Sequence, residues 1–91
     1  MSTRADDSAA TFNEACVVAS IHGMRLTNPS VGCYQLRHAV TGWIINLYPR
    51  HSGGSPRCYH DPRHKGPFLK LPVDWTLLDA VRAAADAEAQ R

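Results

Sequence analysis

Acidic residues are nearly absent from the middle of this chain. Between Tyr34 and Lys70 the only acid is Asp61, and the six basic residues there are Arg37, Arg50, Arg57, Arg63, Lys65 and Lys70. The formal charge of this segment is therefore +5, against −3 for the flanks and +2 for the whole chain. A local excess of positive charge is the electrostatic footprint of an anionic partner, often a phosphate backbone.

Cysteine is scarce, and long apolar runs are missing. The three cysteines, Cys16, Cys33 and Cys58, are odd in number and irregular in spacing, which argues against a disulfide framework. No apolar run approaches the roughly 20 residues that span a bilayer, and the polar start Met1–Asp7 does not resemble a secretory signal. We therefore expect a cytoplasmic protein with three free thiols and no membrane partner.

The motifs that mark common enzymes are also missing. The chain has no phosphate-binding glycine loop, no glycine-framed serine and no cofactor fingerprint. Cys58 and His60 could be imagined as a nucleophile and its base, but their spacing establishes neither the required geometry nor an oxyanion hole. We predict a non-enzymatic protein without a cofactor.

A zinc site is the minor alternative. Cys58, His60 and His64 place three candidate ligands within seven residues, and alternate residues of a strand point to the same side. Zinc usually takes four ligands in a tetrahedron. The chain has no Cys-x-x-Cys pair and no evident fourth ligand, so the prediction remains a protein without metal.

The length of 91 residues and the 44% hydrophobic content indicate one folded domain. Residues 1–11 are small and polar and are predicted to form a flexible N-terminal tail, leaving residues 12–91 as a single domain. The β-branched run from Ala15 to Ile21 favours a buried strand. A helix is the alternative, because Phe12, Ala15 and Ala19 would share one helical face. Residues 28–30 are predicted to form a turn.

Residues 33–50 have the pattern of a β-hairpin, with Thr41-Gly42 as its turn. On the apolar face this register pairs Val40 with Trp43, His38 with Ile45, Leu36 with Leu47, and Tyr34 with Pro49. On the polar face it pairs Ala39 with Ile44, Arg37 with Asn46, Gln35 with Tyr48, and Cys33 with Arg50. A three-residue loop with a glycine bulge is the competing turn. A one-residue slip would mix the two faces, so the alternation favours an even-numbered loop.

The remaining elements complete an α+β domain. Residues 57–60 suit a third hairpin strand, and a C-terminal helix is predicted from Asp74, which can cap it. Val73 and Leu78 are placed as a hydrophobic staple, and the residues expected to face the sheet are Trp75, Leu78, Val81, Ala84 and Ala85. The predicted fold is a three- to four-stranded antiparallel β-meander with one C-terminal α-helix packed on one face.

The face opposite the helix is the predicted binding surface. It would present Gln35, Arg37, Asn46, Tyr48 and Arg50, with Arg57 and Tyr59 adjacent. Amides and guanidinium groups can bond base edges, and aromatic rings can stack on bases, while Arg57, Arg63, Lys65 and Lys70 of the 57–70 loop can contact phosphates. Three strands and a C-terminal helix, with arginines on the free face, resemble in topology the small sheet-reading DNA-binding domains of phage-type integrases and some plant transcription factors. We therefore predict a nucleic-acid-binding module for DNA or RNA.

The alternative function is protein binding. An inhibitor or adaptor of the mobile-element or phage type could cover an acidic or nucleic-acid-binding protein with the same basic and aromatic surface. The unpaired edge of a small sheet could also join a second copy of the chain into a homodimer.

Overall fold

Four antiparallel strands and two helices make up the part of the chain that the computed structural model describes, which is residues 4–49, 57–61, 63, 66–72 and 75–90. The strands pair in chain order, β1-β2-β3-β4. The elements are α1 (Arg4–Ile21), β1 (Met24–Ser30), β2 (Cys33–His38), β3 (Ile44–Tyr48), β4 (Arg57–His60) and α2 (Leu77–Ala89). The predicted α+β meander with a packed C-terminal helix is confirmed, and α1 is an addition to it.

Helix α1 replaces the strand that was predicted at Ala15–Ile21, so that prediction is wrong. Ala15 and Ala19 lie one turn apart on one face of α1 and are fully buried. Small side chains at these positions let α1 approach α2, whose Ala80 and Ala84 are fully buried too. Close helix packing has outweighed the strand preference of the β-branched residues. Helix α1 begins at Arg4, so residues 4–11, which were predicted to belong to a flexible tail, form the first part of a helix.

Strand β1 runs through the segment 28–30, where a turn was predicted. The register between β1 and β2 shifts between Thr27 and Ser30, which accommodates Pro29 on an edge strand, where its missing N–H is tolerated. The Asn28 side-chain amide donates to the carbonyl oxygens of Ser30 and Cys33, both at 2.7 Å. This irregularity disfavours the pairing of another strand with the β1 edge. A homodimer through this edge would have to form without a hydrogen bond from Pro29.

The hairpin between β2 and β3 has a loop of four residues, 39–42, rather than two. The observed partners are Tyr34 with Leu47, Gln35 with Asn46, Leu36 with Ile45, and Arg37 with Ile44. The predicted partners are thus wrong by two residues, but within the strands the predicted faces are right because side chains alternate with a period of two. Ala39 and Val40 lie in the loop instead of on the two faces, and Val40 is exposed. Gly42 closes the loop with a positive φ of 76°, and its N–H donates to the His38 carbonyl at 3.0 Å.

Both helices pack on the same side of the sheet, which we call the inner face. One continuous core joins that face to the helices, and Trp43 and Trp75 belong to it as predicted. The fully buried strand side chains at its centre are Leu36, Ile45 and Leu47. The opposite side, called the outer face, is covered by neither helix.

Helix α2 begins at Leu77 with Thr76 as its N-cap, not at the predicted Asp74. The Thr76 hydroxyl accepts from the Asp79 N–H at 3.3 Å, and the Asp79 carboxylate accepts from the Thr76 N–H at 3.0 Å. This reciprocal capping box satisfies two of the backbone donors at the helix start. Leu77 is more deeply buried than Leu78, and the proposed staple to Val73 lies outside the described residues.

Replacing Thr76 with alanine is expected to lower the free energy of unfolding by about 1 kcal/mol, because the cap hydroxyl is lost. Urea unfolding followed by circular dichroism would measure the change. Thr76→Ser keeps the hydroxyl and should lose clearly less. An alanine variant that unfolds at the wild-type urea concentration would show that the capping box contributes nothing to stability.

Candidate nucleic-acid interface

The outer face is built by residues that alternate with core residues along each strand. Gln35 and Arg37 flank the buried Leu36, and Asn46 and Tyr48 flank the buried Leu47. Across the sheet, register also places Arg25, Thr27, Ile44, Arg57 and Tyr59 on this face. The face therefore combines guanidinium groups, amides and phenols on a rigid pleated support.

Charge differs between the two layers of the fold, which are the sheet and the pair of helices. The four described strands contain Arg25, Arg37 and Arg57 but no aspartate or glutamate. Helix α1 contains one arginine against three acids, and α2 likewise contains one arginine against three acids. Each helix thus carries a formal charge of −2, while the strands together carry +3. The cationic layer is the one whose outer face the helices leave open.

Arg25 and Arg37 lie directly opposite each other on neighbouring strands, and both are exposed. Together with Thr27 and Gln35 they line a shallow depression of about 150 Å³. Like charges on directly opposite residues destabilise a sheet, so this pair does not serve the fold. An anion held between the two guanidinium groups would relieve the repulsion through charge-assisted hydrogen bonds.

Asp61 is an acid that follows β4 directly. Its N–H donates to the Ile44 carbonyl at 3.1 Å. Its carboxylate accepts from the Arg63 N–H at 2.7 Å and lies 3.8 Å from the Arg63 Nε. The negative charge of Asp61 is thus engaged by its own loop.

Besides Ile44, polar and aromatic groups occupy the rest of the outer face. The Gln35 amide donates to the Asn46 side-chain oxygen at 3.4 Å. The rings of Tyr48 and Tyr59 meet edge-on, with centroids 5.7 Å apart and planes at 74°. Tyr59 remains 49% exposed. A side-chain hydrogen bond with Cys33, together with some burial, raises the pKa of the Tyr48 phenol, so Tyr48 presents a neutral hydroxyl at physiological pH.

The structure brings together only part of the predicted surface. Gln35, Arg37, Asn46, Tyr48 and Tyr59 share the outer face, and the Cα register adds Arg57. Arg50 and Lys65 lie outside the described residues.

Two basic residues of the predicted extension along the 57–70 loop, Arg63 and Lys70, lie outside the four strands. Arg63 is highly exposed beside Asp61. Lys70 is exposed on a segment whose Leu69 and Leu71 pack against the core, on the side of the helices.

Arg25 was missed by sequence reasoning. The alternation of Met24, Arg25, Leu26 and Thr27 carries the signal of a half-buried strand, but the neighbouring Asn-Pro-Ser favoured a turn. The missed residue completes the arginine pair, which is the most concentrated charge of the outer face.

Two of the three candidate zinc ligands, Cys58 and His60, lie on the inner face of the sheet. The His60 Nε2 lies 2.7 Å from the Pro67 carbonyl oxygen, and the His60 ring lies 5.3 Å from that of Phe68. Burial raises the pKa of the Cys58 thiol to about 11, which disfavours the thiolate that zinc requires. His64 lies outside the described residues. Among the residues that the structure places, no group of three or more His, Cys, Asp or Glu could hold a metal ion.

Comparisons with known proteins give no relative: no family model matches the chain, and neither a curated protein nor a solved structure is significantly similar to it. Neither of the two described helices combines the length and the apolar character needed to cross a membrane.

Proposed function

We propose that this protein is a non-enzymatic module that binds nucleic acid through the outer face of its sheet. The observation that carries the proposal is the opposed pair Arg25 and Arg37 on an uncovered sheet whose strands contain no acid. A like-charge pair weakens the sheet and becomes favourable when a polyanion lies against it.

The side chains of the outer face suit the parts of a nucleic acid. Guanidinium groups bind phosphate oxygens through two parallel hydrogen bonds. Side-chain amides such as those of Gln35 and Asn46 can recognise base edges, and exposed aromatic rings can stack on bases. Phosphate contacts would come from Arg25 and Arg37, whereas contacts to bases would come from the neighbouring polar and aromatic residues.

Binding to labelled DNA and RNA oligonucleotides should fall steeply with salt, because phosphate contacts release counterions. Arg25→Gln and Arg37→Gln should each weaken binding roughly 3- to 10-fold near 0.1 M salt and reduce the salt slope by about one. Arg82→Gln is the matched control, since Arg82 is exposed on α2, in the other layer. Fluorescence anisotropy across a salt series would measure all four proteins.

Two results would count against the proposal. One is the absence of detectable binding at low salt. The other is equal weakening by Arg82→Gln and Arg37→Gln, which would show that only the total charge matters. In the first case the rival becomes the better explanation: the same basic and aromatic face would cover an acidic protein surface, as an inhibitor or adaptor does.

A further inference from the structure

We infer that the nucleic acid this protein binds is single-stranded. This inference rests on the proposed function and specifies the ligand of the same face. It is carried by the width of the sheet and by the position of Tyr59 relative to the arginine pair.

The outer face is ordered in three rows that cross the strands. The first row contains Arg25 and Arg37, and the third contains Tyr48 and Arg57. The middle row runs across all four strands and contains Thr27, Gln35, Asn46 and Tyr59. Neighbouring rows are about 7 Å apart, because two residues separate them along each strand. The cationic groups thus lie beside the end of the polar middle row at β1 and β2, and an exposed ring lies at its other end on β4.

A face of this width does not fit inside a DNA groove. Four strands spaced about 4.8 Å apart extend over about 14 Å between the axes of β1 and β4, before side chains are counted. The major groove of B-form DNA is about 12 Å wide and accommodates one helix or a two-stranded ribbon. Against an undistorted B-form duplex the outer face would therefore make contacts along the phosphates, which would leave the middle row without contacts to bases.

A single strand can lie flat on the same face. Its bases are unstacked and can rest on an aromatic ring, while its backbone follows cationic side chains. Tyr59 is held by its edge-on contact with Tyr48, yet about half of its surface is exposed. Tyr59 is the aromatic ring best placed to stack on a base, and Arg25 with Arg37 is the site for a phosphate farther along the strand.

The test compares single-stranded and duplex ligands of one sequence, in DNA and in RNA, at the same salt concentration. We expect the single strands to bind at least 10-fold more tightly than the duplexes. Tyr59→Ala should weaken single-strand binding about 10-fold or more through lost stacking. Tyr59→Phe keeps the ring and should bind within about 3-fold of wild type on the same argument. Phe68→Ala is the matched control, because Phe68 is a 90% exposed ring on the segment packed against the inner side.

The outcomes separate this inference from the proposed function. Equal or tighter binding to duplexes would overturn the single-strand inference and leave nucleic-acid binding intact. Wild-type affinity of a folded Tyr59→Ala protein, checked by circular dichroism, would overturn it as well. The absence of binding to every ligand would instead remove the proposed function itself. Whether DNA or RNA single strands bind more tightly identifies the ligand within the inferred class.

Discussion

Replacing Trp43 with alanine is expected to lower the free energy of unfolding by about 3–5 kcal/mol, as for other buried tryptophans. The Trp43 side chain is only 2% exposed and contacts three separate parts of the fold. For a domain whose total stability is on the order of 5–15 kcal/mol, such a loss would remove a large share of the free energy that keeps the protein folded.

The expected size of this effect follows from what the indole touches. Its Nε1 donates to the Glu88 carboxylate of α2 at 3.0 Å, so truncation also removes a partner from a partly buried acid. Its ring stacks on His38, with centroids 5.4 Å apart. On the other side Gly66 lies so close that an added Cβ would stand 2.9 Å from the Trp43 Cδ2. Alanine would leave a cavity between the sheet, α2 and the 66–72 segment.

Urea unfolding followed by far-ultraviolet circular dichroism would measure the loss. Val31→Ala is a suitable control, because Val31 is fully exposed and its truncation should change stability by no more than about 0.5 kcal/mol. Trp43→Phe should fall between the two, since it keeps a ring but loses the N–H donor. An unfolding free energy within 1 kcal/mol of wild type for Trp43→Ala would contradict the central role of this side chain.

The Cys58 thiol is expected to react with a disulfide reagent at least 10-fold more slowly in the native protein than in urea. Burial raises its pKa from 9.0 to about 11, so the thiolate is about 100-fold rarer near pH 8. The higher intrinsic nucleophilicity of a more basic thiolate offsets roughly 10-fold of this. The net effect is a reaction about 10-fold slower, and limited access to the buried thiol slows it further.

Mass spectrometry after brief labelling would resolve Cys58 from the other two cysteines. The same thiol in urea is the internal control, because unfolding restores its ordinary pKa. Native Cys58 that reacts as fast as denatured Cys58 would show that it is not protected by the core. Such a result would also reopen the zinc alternative, which requires an accessible thiolate.

The raised pKa of Cys58 also makes the free energy of unfolding depend on pH. The folded state holds the thiol proton more tightly than the unfolded state, so this contribution is fully present below pH 9. It is lost as the pH rises from about 9 towards 11. The urea midpoint should therefore decline in this range, and the decline should be shallower in Cys58→Ala. Because the phenol of Tyr48 titrates nearby, the difference between the two proteins is the quantity to compare.

The faces of the sheet could be predicted from the sequence, whereas the pairing register could not. Alternation fixes which side each residue takes, so Gln35, Arg37 and Asn46 were placed together correctly. Register depends on turn length, and Thr41-Gly42 did not distinguish a two-residue loop from the observed four-residue loop. An error of two residues leaves the faces unchanged, while an error of one would have divided them.

The N-terminal half shows where local patterns fail. Val17, Val18 and Ile21 favour a strand, but the helix is decided by the burial of Ala15 and Ala19 in the core and by the packing of α1 against α2. That contact joins residues about 65 positions apart in the chain and leaves no local signature. The same misassignment hid β1 and with it Arg25, so the arginine pair could be recognised only from the folded sheet.

The unequal charge of the described helices and strands contributes an electric dipole directed across the thickness of the fold, from the helices towards the sheet. In the field of any polyanion such a dipole experiences a torque before contact is made. With the proposed nucleic-acid ligand, the molecule would turn its sheet forward as it diffuses inward, and a larger share of encounters would begin in the correct orientation. Reversing the charge of one helix would leave every residue of the outer face in place and still slow association at low ionic strength.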